Sequence, residues 1–353
     1  MKRVLILLPA AFSMLLSCTS KPETTTTTET GVAANNTDKE LLDQAKVFFQ
    51  PLPAVAENAA NPLTDEKIKL GKTLYFDTRL SLKGNNSCNS CHSLDKYGVD
   101  NLPVSKGDNG GFGERNSPTV LNAALHSFQF WDGRAKDVEE QAGGPILNPV
   151  EMAIPTKEFL VKRLKGVPEY QPMFKAAFPE AKTALTYENV QNAIGAFERT
   201  LITPSAFDKF LNGEVTAMTT EQKEGLHAFI NTGCITCHTG PSLGGTMFQK
   251  FGLTADYRTF THSKVNDEGK KKLTNQEADK DLFKVPGLRN ISKTYPYFHD
   301  GSIADLGEAV KIMAKAELGK DLTDQEVKAI VSFLDALTGE VPAGARLTAR
   351  LAP

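Results

Sequence analysis

Apolar residues recur at spacings of three and four along much of the chain, which is the pattern of helices with one buried face. Val190, Ile194, Phe197 and Leu201 form one such stripe. The alternation of apolar and polar residues that is typical of half-buried strands is scarce. The pattern therefore predicts a mostly α fold from about Leu41 onward.

Two further apolar stripes are preceded by signals for a helix start. Thr219-x-x-Gln222 and Thr323-x-x-Glu326 are capping boxes, in which two side chains satisfy free amides of the first helical turn. A third stripe, without such a box, consists of Leu306, Val310 and Met313. Between the stripes, residues 98–118, 141–156 and 239–302 are rich in Gly, Pro and Asn and predict long, ordered loops.

A weak internal repeat indicates two related halves. Gly71-x3-Tyr75-Phe76 precedes one cysteine pair, and Gly225-x3-Phe229-Ile230 precedes another. Pro204 marks the predicted boundary. The sequence thus predicts two cytochrome c-like haem domains at 41–203 and 204–340, followed by a tail at 341–353.

The N-terminus has the pattern of an export signal. Lys2 and Arg3 precede a short apolar run, which ends in Leu-Leu-Ser before Cys18. This ending resembles a bacterial lipobox, so residues 1–17 are predicted to be a lipoprotein signal peptide and Cys18 the lipidated residue. An ordinary cleaved signal with an incidental cysteine is the alternative. Residues 18–40 are rich in threonine and predict a flexible tether. The expected location is the periplasm, with attachment to a membrane through the lipid.

Composition narrows the class of protein further. The 353 residues carry 40 Lys and Arg against 42 Asp and Glu, which gives no basic surface for nucleic acid. A hydrophobic content of 40% with 23% charged residues excludes both wholesale disorder and a polytopic membrane protein.

The four cysteines after Cys18 form two C-x-x-C-H motifs, which are typical of covalent haem c attachment. In each, the two thiols can bond one macrocycle and the histidine can bind its iron. A zinc site or a thioredoxin-like redox pair would leave the histidine of both motifs unexplained. We therefore predict two haem c groups as cofactors. The residues are Cys88, Cys91 and His92 in the first motif and Cys234, Cys237 and His238 in the second.

Four further motifs resemble the bacterial dihaem cytochrome c peroxidase family, which includes the MauG-type enzymes. They occur in the family's order at 115–120 (RNSPTV), 129–134 (QFWDGR), 285–290 (VPGLRN) and 295–301 (YPYFHDG). The resemblance implies that the N-terminal haem reduces hydrogen peroxide. It also implies that the C-terminal haem receives electrons from a small cytochrome c or a cupredoxin, and that the protein is a homodimer.

The resemblance assigns roles to single residues. Glu151 matches the distal acid, with Gln141 as its companion, and Trp131 matches the residue between the two haems. Met313 matches the sixth ligand of the electron-entry haem. MauG-type enzymes use a tyrosine there, so Met313 favours a peroxidase. The family's calcium ion would be bound by Asn116, Thr294 and Pro296.

The chain departs from the family in the loop before residue 115. Many members carry there a histidine that blocks the peroxidatic iron until the other haem is reduced. This loop contains no histidine, and Asp108 is taken to occupy that position. Since carboxylate is a poorer ligand for haem iron than imidazole, we expect a peroxidatic haem that is open in the fully oxidised enzyme.

Four histidines lie outside the two haem motifs: His126, His227, His262 and His299. The first three are predicted to be surface or packing residues, with His126 on a helix that points away from the haem sites. No chemical role is assigned to His299. The leading interpretation is a lipid-anchored periplasmic peroxidase. The alternatives are a MauG-like oxidase of a protein or organic substrate, and a dihaem electron carrier without catalytic activity.

Overall fold

Helices make up most of the regular structure, as the apolar spacing predicts. The computed structural model describes residues 29–346, with side chains from residue 37 onward. Its α-helices are α1 (Glu29–Phe48), α2 (Asp65–Tyr75), α3 (Cys88–Cys91), α4 (Val138–Leu147), α5 (Lys157–Lys165), α6 (Tyr170–Ala177), α7 (Tyr187–Glu198), α8 (Ala206–Leu211), α9 (Thr220–Thr232), α10 (Arg258–Thr261), α11 (Lys271–Thr274), α12 (Leu306–Leu318) and α13 (Asp324–Asp335).

Both capping boxes are present. Thr219 caps α9 and Thr323 caps α13, and in each case the side chain three residues later returns a hydrogen bond to the capping amide. The stripe that begins at Val190 lies in α7, although Leu201 falls beyond the helix end and is buried there.

Two predicted loops contain more structure than expected. α4 occupies the start of 141–156 despite its glycines and Pro145, because burial of Val138, Ala142 and Ile146 stabilises the helix. The range 239–302 contains two strands, β1 (Phe248–Lys250) and β2 (Leu282–Lys284), which pair antiparallel with Phe248 opposite Lys284.

Two hydrophobic cores organise the chain. α2 packs against α7 in the first core, and α9 packs against α13 in the second. Leu41 and Ala45 of α1, with Phe49 just after it, belong to the second core, whereas the sequence predicts this segment as the start of the N-terminal domain. Conversely, Val341 and Ala345 of the predicted tail pack into the first core.

The internal repeat corresponds to two equivalent helix crossings. A Cβ atom on Gly71 of α2 would lie 1.8 Å from the carbonyl oxygen of Ala193 in α7. A Cβ atom on Gly225 of α9 would lie 1.9 Å from the carbonyl oxygen of Ala329 in α13. Each crossing therefore requires glycine, since any side chain would separate the helix backbones.

The chain divides into the units Met1–Thr37 and Asp38–Pro353. The predicted signal peptide, Cys18 and the first part of the tether lie outside the described residues. The rest of the predicted tether is helical from Glu29 onward, because residues 32–48 contain neither glycine nor proline. This corrects the expectation that the whole segment 18–40 is flexible. None of the helices in residues 29–346 is long and apolar enough to cross a membrane.

Candidate haem sites

The first C-x-x-C-H motif forms a single helical turn. Cys88 and Cys91 are the first and last residues of α3, and the His92 amide donates to the Cys88 carbonyl oxygen at 3.0 Å. Burial lowers the pKa of His92, which keeps its imidazole neutral as metal binding requires. The buried His92 Nδ1 atom has no hydrogen-bond partner within residues 29–346. The ring is thus buried, neutral and located in the wall of a cavity, which fits a histidine that binds iron through Nε2.

The second motif follows the C-terminus of α9. Gly233 ends that helix at a φ of 101°, and the chain turns directly into a short 3₁₀ helix that begins at Cys234. His238 Nδ1 lies 3.0 Å from the Leu243 carbonyl oxygen and donates to it. Because burial also lowers the pKa of His238, the ring is neutral and its Nε2 lone pair is free to bind iron.

The protonation and position of the four thiols argue against a thioredoxin-like redox pair and against a zinc site. Burial raises the pKa of Cys91 to about 11 and that of Cys234 to about 12, so neither is the thiolate of a redox pair. The two cysteine pairs line different cavities and do not meet. Residues 37–346 contain no cluster of three or more Cys, His, Asp or Glu that could bind zinc.

A cavity of about 650 Å³, called here the first cavity, lies beside Cys88, Cys91 and His92. Ligand pockets in proteins commonly have volumes of this order. The three candidate catalytic side chains also line it, namely Trp131, Gln141 and Glu151. Gln141 lies on α4, and Glu151 follows shortly after the C-terminus of that helix.

Glu151 is held at the cavity wall by the residue that ends α4. Asn148 Nδ2 donates to Glu151 Oε1 at 2.9 Å. Burial raises the pKa of Glu151, and the charge of Arg134 and this hydrogen bond only partly offset the effect. A carboxyl group with a raised pKa is suited both to accept and to return a proton near neutral pH.

The second cavity, of about 240 Å³, lies beside Cys234, Cys237 and His238 and has a mostly apolar wall. Met313, on α12, lines the same cavity as His238. A thioether and an imidazole are the ligand pair of cytochromes c with a raised reduction potential. The residues around this cavity therefore fit a haem c with two axial protein ligands.

Trp131 lines both cavities. Its Nε1 atom donates to the Asn116 carbonyl oxygen at 2.8 Å, and its ring meets His299 edge-on with 6.3 Å between centroids. The only tryptophan of the chain is thus fixed in the wall that the two cavities share.

The comparisons with known proteins agree with this geometry. Residues 65–216 match the family described as di-haem cytochrome c peroxidase, and residues 222–338 match the cytochrome c family. Over 304 residues the chain is 43% identical to cytochrome c551 peroxidase of Pseudomonas aeruginosa, covering 86% of this chain and 87% of that protein. The chain belongs to the di-haem cytochrome c peroxidase family.

Two other similarities extend this finding. Cytochrome c551 peroxidase of Nitrosomonas europaea is 45% identical over 296 residues, covering 83% of this chain and 85% of that protein. The crystal structure of a MauG-like protein associated with microbial copper homeostasis superposes with a TM-score of 0.73 at 29% identity, covering 82% of this chain and 94% of that one. The chain is therefore an oxidoreductase of a peroxidase family with two haem c groups.

Within this di-haem peroxidase, Asp108 does not occupy the position predicted for it. Its buried carboxylate accepts hydrogen bonds from the Ser81 hydroxyl and from the Lys83 and Asn85 amides, at 2.8, 2.6 and 2.9 Å. Asp108 does not line the first cavity. The prediction that it stands in for the missing histidine is therefore corrected, because the carboxylate instead accepts hydrogen bonds from the Ser81 hydroxyl and from the Lys83 and Asn85 amides.

The loop that contains Asp108 nevertheless reaches the site. The Asp108 amide donates to the Glu151 carbonyl oxygen at 2.7 Å, and a Cβ atom on Gly107 would lie 1.6 Å from the Val150 carbonyl oxygen. Glycine at 107 thus allows the loop to lie against the segment that carries the candidate catalytic acid.

Of the three predicted calcium ligands, Asn116 and Pro296 are in direct contact. Asn116 Nδ2 donates to the Pro296 carbonyl oxygen at 2.6 Å, and Thr294 precedes Pro296 by two residues. All three residues line the second cavity. Exchange of the nitrogen and oxygen ends of the Asn116 amide would place two oxygen ligands side by side.

The other histidines divide into two groups. His227 and His262 are exposed, in agreement with a surface role. His126 does not lie within a helix as expected, because it follows a 3₁₀ helix and lines the second cavity. His299 is a packing residue whose ring stacks on Phe283 with 4.3 Å between centroids.

Sequence reasoning missed several charged residues of the two cavities. Arg134 lines the first cavity, and Glu198 lies behind Cys88 with its pKa raised to about 8 by burial. Lys284 lines the second cavity. Arg134 lies within a family motif and Lys284 lies next to one, but only the folded structure shows that they line a cavity.

Proposed function

We propose that the protein is a periplasmic dihaem cytochrome c peroxidase that reduces hydrogen peroxide to two waters. Two electrons come, one at a time, from a small cytochrome c or a cupredoxin. The observation that carries this proposal is the placement of the proton-transfer and electron-entry residues. Glu151 lines one cavity with His92, Met313 lines the other with His238, and Trp131 lies in the wall of both.

In the first cavity, the protein's task is to move a proton. A haem held by Cys88, Cys91 and His92 would supply the iron at which peroxide binds and is reduced. The Glu151 carboxylate accepts the proton of the peroxide oxygen nearer the iron and returns it to the farther oxygen, so that the latter leaves as water. Gln141 lines the same cavity and can orient the peroxide by hydrogen bonding.

In the second cavity, the protein's task is to receive electrons. His238 and Met313 would hold the haem, and the neutral thioether favours the reduced state of the iron. Trp131 connects this cavity to the first, since its ring contributes to both walls. Electrons delivered at the second site would therefore reach the first through the segment that carries Trp131, which together with Phe130 lines both cavities.

We further propose that the peroxidatic haem is open in the fully oxidised enzyme. Among the described residues, His92 is the only histidine that lines the first cavity, and Asp108 is held by residues 81–85. No second imidazole is therefore in position to block the iron, and peroxide would react without prior reduction.

Calcium is proposed at Asn116, Thr294 and Pro296, in support of which the structure places Asn116 beside the Pro296 carbonyl oxygen. Chelation with EGTA is expected to lower turnover, and Ca²⁺, unlike Mg²⁺, is expected to restore it because the larger ion tolerates irregular oxygen ligands. Unchanged turnover with no calcium in the isolated protein would contradict this assignment.

Periplasmic location, lipid attachment at Cys18 and homodimer formation are also proposed, from the export signal and the family resemblance. Substitution Cys18→Ala is expected to move the protein from the membrane fraction to the soluble periplasmic fraction. Retention in the membrane fraction would overturn the lipid anchor, and sedimentation analysis of the soluble protein would test the dimer.

The decisive variant for the proposed reaction is Glu151→Gln. Loss of a general acid–base group lowers rates on the order of 10²–10⁴-fold, so peroxide-dependent oxidation of a reduced cytochrome c should fall by that factor while both haem spectra persist. Glu140→Gln is the matched control, because this carboxylate is exposed and binds only the Lys136 amide. Equal turnover of the two variants would show that Glu151 is not the proton-transfer group, and absence of turnover in the wild-type protein would favour a dihaem electron carrier.

A MauG-like oxidase is the second candidate, favoured by the structural similarity to a MauG-like protein. Met313 argues against it, because the resemblance associates a tyrosine with that activity. Oxidation of a protein or organic substrate by peroxide, without a cytochrome donor, would support the oxidase.

A further inference from the structure

Lys284 is a buried cation in the wall of the second cavity. Only 4% of its surface is exposed, and it ends the short strand β2. Its amide donates to the Trp131 carbonyl oxygen at 2.8 Å, which fixes the strand end against the tryptophan segment. Burial lowers the pKa of Lys284 to about 8, so the side chain is mostly a charged ammonium near neutral pH.

This ammonium group has no carboxylate partner among the described side chains. Its one hydrogen bond is to His126 Nδ1, at 3.2 Å. The acidic residue whose charge acts on it, Asp132, is bound by Arg115 at 2.7 Å and by Arg134 at 3.0 Å. Lys284 therefore remains a buried positive charge with a neutral neighbour.

His126 is held rigidly as that neighbour. A Cβ atom on Gly245 would lie 2.2 Å from the His126 ring, and one on Gly287 would lie 2.7 Å from Nε2, so the ring occupies a slot between two glycines. Burial and the nearby Lys284 charge hold the pKa of His126 well below its usual value. The neutral ring accepts a hydrogen bond from Lys284 and leaves the other ammonium protons free.

Burying an uncompensated charge is strongly unfavourable, and proteins avoid it unless an anion is bound beside it. The cavity next to Lys284 is the one that His238 and Met313 line, and haem c carries two propionate carboxylates. We propose that Lys284, positioned by His126, binds a propionate of the C-terminal haem and raises the reduction potential of that haem.

The position of the pair specifies which haem is involved. Lys284 and His126 line the second cavity, and neither lines the first. Lys250, on the paired strand β1, also lines the second cavity but is exposed, so solvent screens its charge. A propionate bound by Lys284 would be buried, which makes this interaction the stronger influence on the iron.

The inference rests on the proposed function only in that it needs a haem beside His238. Its test measures a reduction potential and uses no peroxide, so it can fail or succeed independently of the peroxidase reaction. In spectropotentiometric titrations of the holoenzyme, Lys284→Met is expected to shift the equilibrium for reduction of the C-terminal haem at least tenfold toward the oxidised form. For one electron this corresponds to a potential lower by about 59 mV. Lys284→Arg, which keeps the charge, is expected to retain most of the wild-type potential.

Lys250→Met is the matched control, since it removes the same charge from an exposed position of the same wall. An unchanged potential in Lys284→Met, or an equal shift in Lys250→Met, would overturn the proposal. If Lys284→Met does not fold, the wild-type holoenzyme structure decides instead. A propionate oxygen within hydrogen-bond distance of Lys284 Nζ supports the inference, and propionates directed elsewhere refute it.

Discussion

The hydrogen bond from Asn148 to Glu151 contributes to the acidity of the residue proposed to transfer the proton. Because it stabilises the ionised carboxylate, it lowers a pKa that burial has raised. Peroxide turnover requires this carboxylate at the start of the reaction, so kcat/KM should fall as the pH drops through the pKa of Glu151.

Asn148→Ala should therefore move the acid limb of the pH–rate profile to higher pH, because the remaining burial raises the pKa further. The measurement is kcat/KM for peroxide across the acid range, with Asn189→Ala as a control whose amide binds the Ala184 carbonyl oxygen outside the cavity. An acid limb that moves to lower pH would show that the titrating group is not Glu151.

Asp108 illustrates a residue whose role depends on tertiary structure. The sequence correctly indicates a loop without histidine, but the three donors from residues 81–85 are brought to Asp108 only by folding. Burial on its own would raise the pKa of Asp108, yet the Lys83 and Asn85 amides and the Ser81 hydroxyl hold it below its ordinary value.

Asp108→Asn should therefore lower the melting temperature near neutral pH and leave the oxidised haem spectrum unchanged. The stability that Asp108 contributes is present above the unfolded pKa of an aspartate, about 3.9, and is lost as the pH falls through the lower folded pKa. The exposed Asp95→Asn, which breaks only a surface ion pair, serves as the control. A changed resting spectrum in Asp108→Asn would indicate that this carboxylate does face the iron.

At the scale of elements, the sequence predicts helices whose start and buried face are both encoded locally. The capping boxes at Thr219 and Thr323 are examples. α4 is harder to predict, because its glycines and Pro145 resemble a loop, and packing against α7 adds to the N-cap that Asp137 provides. β1 and β2 are three residues each, too short for alternation to be recognised.

The two helix crossings at Gly71 and Gly225 give an element-scale prediction. Replacing glycine by alanine in an exposed helix would stabilise the helix by up to about 1 kcal/mol. Here, however, the added Cβ atom would overlap a carbonyl oxygen of the facing helix. Gly71→Ala and Gly225→Ala should therefore each destabilise the protein, seen as a lower midpoint in chemical denaturation. Gly344→Ala, which meets no atom within 4 Å, should have little effect, and equal midpoints for all three would contradict the packing argument.

At the scale of the whole molecule, the sequence predicts two haem sites, their ligands and, through the family resemblance, Trp131 between them, but not the contacts that hold Trp131 in place. Its indole is anchored by Asn116 and its carbonyl oxygen by Lys284. Trp131→Leu should slow electron transfer between the haems while peroxide still reacts at the first site. Stopped-flow measurement after peroxide addition to the half-reduced enzyme tests this, with Phe159→Leu, an exposed aromatic residue outside both cavities, as control. Unchanged transfer in Trp131→Leu would require another route.

The central claim is a peroxidase whose first haem site is open before any reduction. The most direct measurement is rapid mixing of the fully oxidised enzyme with one equivalent of hydrogen peroxide, followed by optical spectroscopy. We predict an immediate spectral change at the N-terminal haem and consumption of the peroxide. An unchanged low-spin spectrum with the peroxide left intact would contradict the account.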